Sequence, residues 1–173
     1  MTFGLLLVGG SDPTGDSVRL LDPGSDSLAL IVTGYQFPDA DEPRQRYSWH
    51  VAEGSASRGG SSWEFRYPAL ACDETPRVGQ WLRLVADWLD AHGQGPPPAD
   101  EEFIEPNLSF SVRGLAGAAT ATIEIGLEQE FQAPDGRRPG RRTPLRLNLT
   151  AERLNTTAAE WDDERRPFPD LSA

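Results

Sequence analysis

The chain has 173 residues, 38% hydrophobic and 25% charged, a globular composition for one domain's worth of chain that can bury a core without staples. Its 16 basic residues are all arginine and stand against 27 acids, for a net charge of −11. With no lysine there is no Walker A loop, no protein kinase and no Schiff-base enzyme, and the single cysteine, Cys72, excludes an internal disulfide or a multi-cysteine metal site.

In chain order, Phe3–Val8 and Val18–Leu21 suggest a hairpin around Asp12-Pro13-Thr14-Gly15. The apolar run Leu5–Val8 is too short for a signal peptide, and no stretch reaches the ~20 residues of a membrane helix, so a soluble cytoplasmic protein is expected. Leu28–Tyr35 reads as a central, mostly apolar strand. Tyr47, Trp49 and Val51 alternate with Ser48 and His50, and Trp63, Phe65 and Tyr67 with Glu64 and Arg66. Such alternation predicts strands with one dry and one wet face, here with the aromatic set dry.

Val78, Trp81, Leu82, Val85, Trp88 and Leu89 form one helical stripe, predicting a helix over 76–92. Thr75 can cap it, Pro76 suits its first position and Gly93 can end it. Residues 94–102 read as a proline-stiffened linker. Further alternating strands follow at Leu108–Val112, Ile123–Phe131 and Leu145–Leu149. A second helix over 151–165 begins at Thr150, carries Leu154, Ala158 and Trp161 on one side, and is bounded by Pro167. The loops Asp39–Gln45, Ser55–Ser62 and Pro134–Thr143 are expected to be mobile tips.

The fold expected is α+β: a single domain over 1–173, with a curved, mainly antiparallel sheet of about six to eight strands and two helices packed on one face. Its halves, 1–93 and 103–166, echo each other loosely, each running strands first and then one Trp-bearing helix. Each half alone has too few strands for a stable core.

Catalytic signatures are sparse. His50 and Cys72 could pair as base and nucleophile, but nothing in their local sequence supports it, and a thiol just before a helix is usually a small buried group. His92 suits a helix C-terminus, and no G-x-S-x-G or G-x-G-x-x-G occurs. The two histidines fit no metal spacing, so no catalytic residues, metal or other cofactor are expected. Carboxylates are the abundant functional type. Glu124, Glu128 and Glu130 share the wet face of one predicted strand, and Glu101, Glu102 and Glu105 precede another. His50, Glu64, Arg66 and Arg113 share wet-face parity. No calcium-loop pattern is present. A solvated face and an acidic platform for a basic protein both fit, whereas nucleic-acid binding through phosphates does not suit this charge. The basic cluster Arg137-Arg138-Pro-Gly-Arg141-Arg142 lacks aromatics and reads as a loop balancing acidic neighbours.

Two strings carry a family likeness: Gly34-Tyr35-Gln36-Phe37-Pro38 followed by Tyr47-Ser48-Trp49, and Phe103-Ile104-Glu105-Pro106-Asn107-Leu108-Ser109-Phe110. With Trp63, the helix from Trp81-Leu82 to Trp88-Leu89 and a final helix near Phe168-Pro169, this order over about residues 28–169 resembles the WapI family of bacterial immunity proteins. Ser48 departs from the asparagine often found before the strand Trp. The resemblance implies a cytoplasmic protein without catalytic activity that binds the toxic C-terminal domain of a contact-delivered toxin. For the family's namesake that toxin is a tRNA nuclease, whose phosphate-binding surface would be basic. The acids Glu101, Glu102, Glu105, Glu124, Glu128, Glu130 and Glu64, with His50, are the partner-binding residues expected, with no direct contact to nucleic acid or membrane. The alternatives are a structural or regulatory interaction protein without a toxin partner and, behind it, a small hydrolase using carboxylates or Cys72.

Overall fold

A two-residue stop between two long runs of strand residues sets the geometry of the first sheet. Gly59 and Gly60 take φ values of +56° and +86°, the backbone that a tight hairpin matched to right-twisted strands requires. In the computed structural model, which describes residues 18–21, 26–117, 119–134 and 144–171, this turn joins β3 (Trp49–Arg58) to β4 (Ser61–Ala71). The predicted loop tip at Ser55–Ser62 is therefore mostly strand. With β1 (Val18–Leu21) and β2 (Ser27–Tyr35) they form an antiparallel sheet in sequence order. A short helix, α1 (Pro43–Arg46), fills part of the connection from β2 to β3. The hairpin expected near Asp12–Gly15 and the arginines at 137–142 lie outside the described residues.

Helix α2 (Thr75–Asp90) follows, and its predicted stripe is buried except for half-buried Trp88. Its start differs from expectation: Glu74 is the N-cap residue, and Thr75 instead donates its hydroxyl to the Ala71 carbonyl at 3.0 Å. At the far end, His92 N–H reaches the Leu89 carbonyl (2.8 Å) and Gly93 N–H the Trp88 carbonyl (2.9 Å), the paired bonds of a Schellman stop. Both residues sit in the left-handed region, at φ +56° and +66°.

The second half repeats the plan. Strands β5 (Glu101–Glu102), β6 (Leu108–Gly117), β7 (Thr120–Leu127) and β8 (Leu145–Thr150) form a second antiparallel sheet. Helix α3 (Ala151–Arg165) follows directly, its N-cap Thr150 accepting the Arg153 N–H at 3.2 Å. The chain is thus α+β with strands in the expected number, but they are split between two four-stranded sheets rather than joined in one. Among the described residues, and leaving aside the short α1, the order ββββα occurs twice.

Both sheets and both helices share one core. They converge on a small apolar void lined by Leu28 and Leu30 of the first sheet, Val78 and Leu82 of α2, Phe110 of the second sheet, and Thr157 and Trp161 of α3. Tryptophan indoles tie distant segments by donating to backbone carbonyls: Trp63 to Phe131, Trp81 to Ala99 and Trp161 to Thr75, each at 2.8 Å. Buried donors that find partners cost little, and their rings supply large apolar area.

One face assignment and one strand end change. On β3 the buried positions are His50, Ala52 and Ala56, while Trp49 and Val51 are only half-buried. In the register, Ala52, Gly54 and Ala56 lie opposite Tyr67, Phe65 and Trp63, so small residues on β3 make room for rings on β4. Strand β7 also ends at Leu127, earlier than its alternation suggested. Gln129 turns with φ +52°, and a 3-10 turn over Gln129–Phe131 sends Phe131 inward to stack on Phe65 at 4.2 Å.

Candidate functional site

The solvent face of the second sheet is built by the polar positions of three strands. Ser109, Ser111 and Arg113 come from β6, Glu124 and Gly126 from β7, with Glu128 just beyond it, and Glu102 from β5. Together with Asp100, Phe110, Leu127 and Pro144 they line an open groove of about 220 Å³. Gly126 leaves room in this lining, since a Cβ there would meet the Ser109 hydroxyl at 2.4 Å. The groove gathers Glu102, Glu124 and Glu128 from the acids expected at the site and adds Asp100, which the sequence reading passed over.

These carboxylates are not equivalent. The Glu124 side chain is only 13% exposed and sits between two guanidiniums: Arg113 holds one oxygen, and Arg146 Nε the other at 3.1 Å. Burial alone would raise its pKa, but the hydrogen bonds and charge of Arg113 and Arg146 outweigh that and hold its carboxyl below the usual range. Glu124 is thus a neutralised post in the groove wall. Register places Arg146 directly opposite Glu124 on β8, a pairing that alternation cannot reveal because it gives parity and not partner.

The other expected residues separate. Glu101 pairs with Arg77 of α2. Exposed Glu130 accepts the Asn107 side-chain amide at 2.8 Å, fixing the bend after β7 rather than extending a strand face. Glu105 lies on the loop between β5 and β6 and is not part of the groove's lining. Glu64 stands on the outer face of the first sheet, beside the Glu53–Arg66 pair, and not with the groove.

His50 is a correction. It is 1% exposed and lies inside, not on a wet face. Its Nδ1 bonds Thr75 Oγ1 at 2.7 Å, and the Thr75 hydroxyl in turn donates a hydrogen bond to the Ala71 carbonyl. Burial pushes the imidazole down to about 4, against the pull of the Phe168 backbone and Asp170. Burial likewise pushes the nearby Cys72 thiol up to about 12. A neutral imidazole and a neutral thiol are the reverse of an activated thiolate–imidazolium pair. Above His50, Tyr35 packs on Tyr47 and Phe168 and donates its hydroxyl to the Pro169 carbonyl at 2.6 Å. The tyrosine of the Gly34–Pro38 string thereby clasps the Phe-Pro segment after α3.

Sequence reasoning also missed two buried carboxylates that order the surroundings. Asp26 accepts the Arg146 N–H at 2.8 Å, joining β2's approach to β8. Glu74, 3% exposed, accepts Arg77 Nη1 at 3.0 Å and the Ile104 N–H at 3.1 Å. Among the described residues, no group of three or more His, Cys, Asp or Glu side chains is placed to hold a metal ion, and no helix is long and apolar enough to cross a membrane.

No match is found among curated proteins. Among solved structures, the chain is similar to the plant transcriptional regulator PBF-2, with a TM-score of 0.46 and 10% identity over 88% of this chain and 80% of that one. The model of the immunity protein WapI-like family matches residues 19–169, which takes in both sheets, both long helices and the Phe168-Pro169 clasp. The chain belongs to the WapI-like immunity protein family.

Proposed function

We propose that this chain is an immunity protein without catalytic activity that neutralises the toxic domain of a toxin by direct protein–protein contact in the cytoplasm. The partner is a basic nuclease domain, and the surface that meets it is the groove on the second sheet. One observation supports the placement: Asp100, Glu102 and Glu128 converge on one open groove whose Arg113 is already paired with Glu124, in a protein whose net charge is −11. A nuclease must bind phosphate, so its active surface is positive. An acidic groove meets such a surface with complementary potential, which speeds encounter and excludes nucleic acid from the same ground.

The test is a binding and inhibition assay with the C-terminal domain of the toxin-like protein encoded beside this chain, with RNA cleavage read in parallel. Tight binding with loss of cleavage supports the reading. Glu102→Gln with Glu128→Gln should then slow association severalfold at low salt, and the difference should shrink at high salt. If no neighbouring toxin-like domain binds, the function returns to an interaction protein without a toxin partner.

A further inference from the structure

The loop between β5 and β6 is built with more restraint than a connection needs. Phe103 is buried on one side of it, edge-on to Phe110 at 6.2 Å and beneath the Arg77 guanidinium at 5.5 Å. Asn107 is buried on the other, with its side-chain amide on Glu130 and the Glu128 carbonyl and its backbone carbonyl accepting the Glu128 N–H. Between these anchors the Ile104 N–H is held by the buried Glu74 carboxylate. Arg77 adds bonds to Glu74, to Glu101 and to the Glu102 carbonyl. A carboxylate taken out of water is costly unless such partners compensate it.

What this scaffold presents is an isoleucine. Ile104 is 72% exposed, more than Leu84, Leu115 or Phe37, and contributes little to the core. An exposed apolar residue by itself is ordinary. Here it stands on a fixed backbone, with Glu102 two residues before it and Glu105 directly after it, and Glu102 is also part of the acidic groove. An exposed apolar side chain flanked in the chain by Glu102 and Glu105, on a pre-ordered backbone, has the anatomy of a binding hot spot, because little conformational freedom is left to lose on association.

We infer that Ile104 is the apolar anchor of the partner-binding face, and that its occupant is a basic protein surface carrying an apolar depression. This rests on the immunity reading and divides its labour: the groove acids set the association rate, and Ile104 sets the residence time. Glu74 is a positioning residue that fixes the Ile104 backbone.

The experiment follows both rates for the neighbouring toxin's C-terminal domain on the immobilised full chain. Ile104→Ala should raise the dissociation rate about tenfold while leaving association within about twofold. Glu102→Gln with Glu128→Gln should do the opposite. Ile104→Ala should melt like the parent chain, so folding does not confound the result. Glu74→Gln should speed hydrogen exchange at the Ile104 amide and shorten residence without altering the presented surface. Binding by the parent chain with an unchanged dissociation rate in Ile104→Ala would overturn the anchor while leaving the immunity reading intact. Failure of the parent chain itself to bind would overturn both. Faster exchange in Glu74→Gln with unchanged residence would overturn the positioning role.

Discussion

The two ββββα halves carry similar helices, but their sheets are filled differently. On β7 and β8 the inward positions are Ala121, Ile123, Ile125 and Leu127, then Leu145, Leu147 and Leu149, in unbroken alternation with polar residues. On β3 the inward series is His50, Ala52, Gly54 and Ala56, and the bulk comes from Phe65 and Trp63 on the neighbouring strand. Packing needs summed volume and not a large residue at every site, so a strand can lie fully in the core and still look weakly apolar. The second half therefore keeps a regular outer face on which a groove can form, whereas the first seals a polar His50–Thr75 contact inside.

The largest expected effect contrasts two apolar residues that alternation alone treats alike. Leu147→Ala in the second sheet should cost about 3–4 kcal/mol in urea unfolding, because a fully buried side chain leaves a cavity. Val51→Ala in the first, half-buried, should cost under about 1 kcal/mol. Equal losses would erase the difference between the sheets.

Acid sensitivity comes next, and its mildest-pH part resides in the first half. His50 is held neutral when folded, with its pKa at about 4 against 6.5 for a free imidazole. The unfolded chain binds that proton first, so this contribution is complete above pH 6.5 and is lost as pH falls toward 4. The full loss is about 3 kcal/mol. Unfolding free energies at pH 7 and pH 4.5 should converge in His50→Gln relative to the parent chain. Glu124 and Asp162, whose carboxyls are held low by arginines despite burial, add losses only at lower pH, and these should persist in the variant.

A third pair compares glycines. A Cβ at Gly54 would lie 2.2 Å from the Ala29 carbonyl oxygen and 2.9 Å from the Phe65 ring, so Gly54→Ala should cost about 2 kcal/mol or more. At Gly126 the obstacle is the Ser109 hydroxyl, which can rotate, so Gly126→Ala should cost under about 1 kcal/mol while narrowing the groove. The smallest effect should be a gain. Among the described residues the buried Thr157 hydroxyl has no hydrogen-bond partner, and Thr157→Val should stabilise the chain by about 1 kcal/mol.

What was legible in the sequence follows the same division. The bounds of α3 and its Thr150 cap, the stripe of α2, and the dry faces of β6, β7 and β8 are carried by period and cap chemistry in single segments. The inversion of β3 was not, since it depends on which ring of β4 lies opposite each small residue. Nor was the partition into two sheets, because alternation marks strands without naming neighbours. At the site, Glu102, Glu124 and Glu128 could be read as one acidic face, but the neutralisation of Glu124 by Arg146 needed the β7–β8 register. Glu74 carries no signal of its own in the sequence, and Ile104 stands there only as part of the string Phe103–Phe110. Their meaning lies in a contact across 30 positions.

The Tyr35–Pro169 bond spans 134 positions and closes the aromatic lid over His50. On a ribosome, β2 is made before the second half, but the segment that covers its end is made only after it. The first sheet must therefore wait, with Tyr35 and the His50 side of its core open, until α3 and the turn beyond it have left the exit tunnel. A translation arrest before Phe168 would leave a nascent chain with most of its strands and no lid, a species that chaperones or proteases could tell from the finished protein.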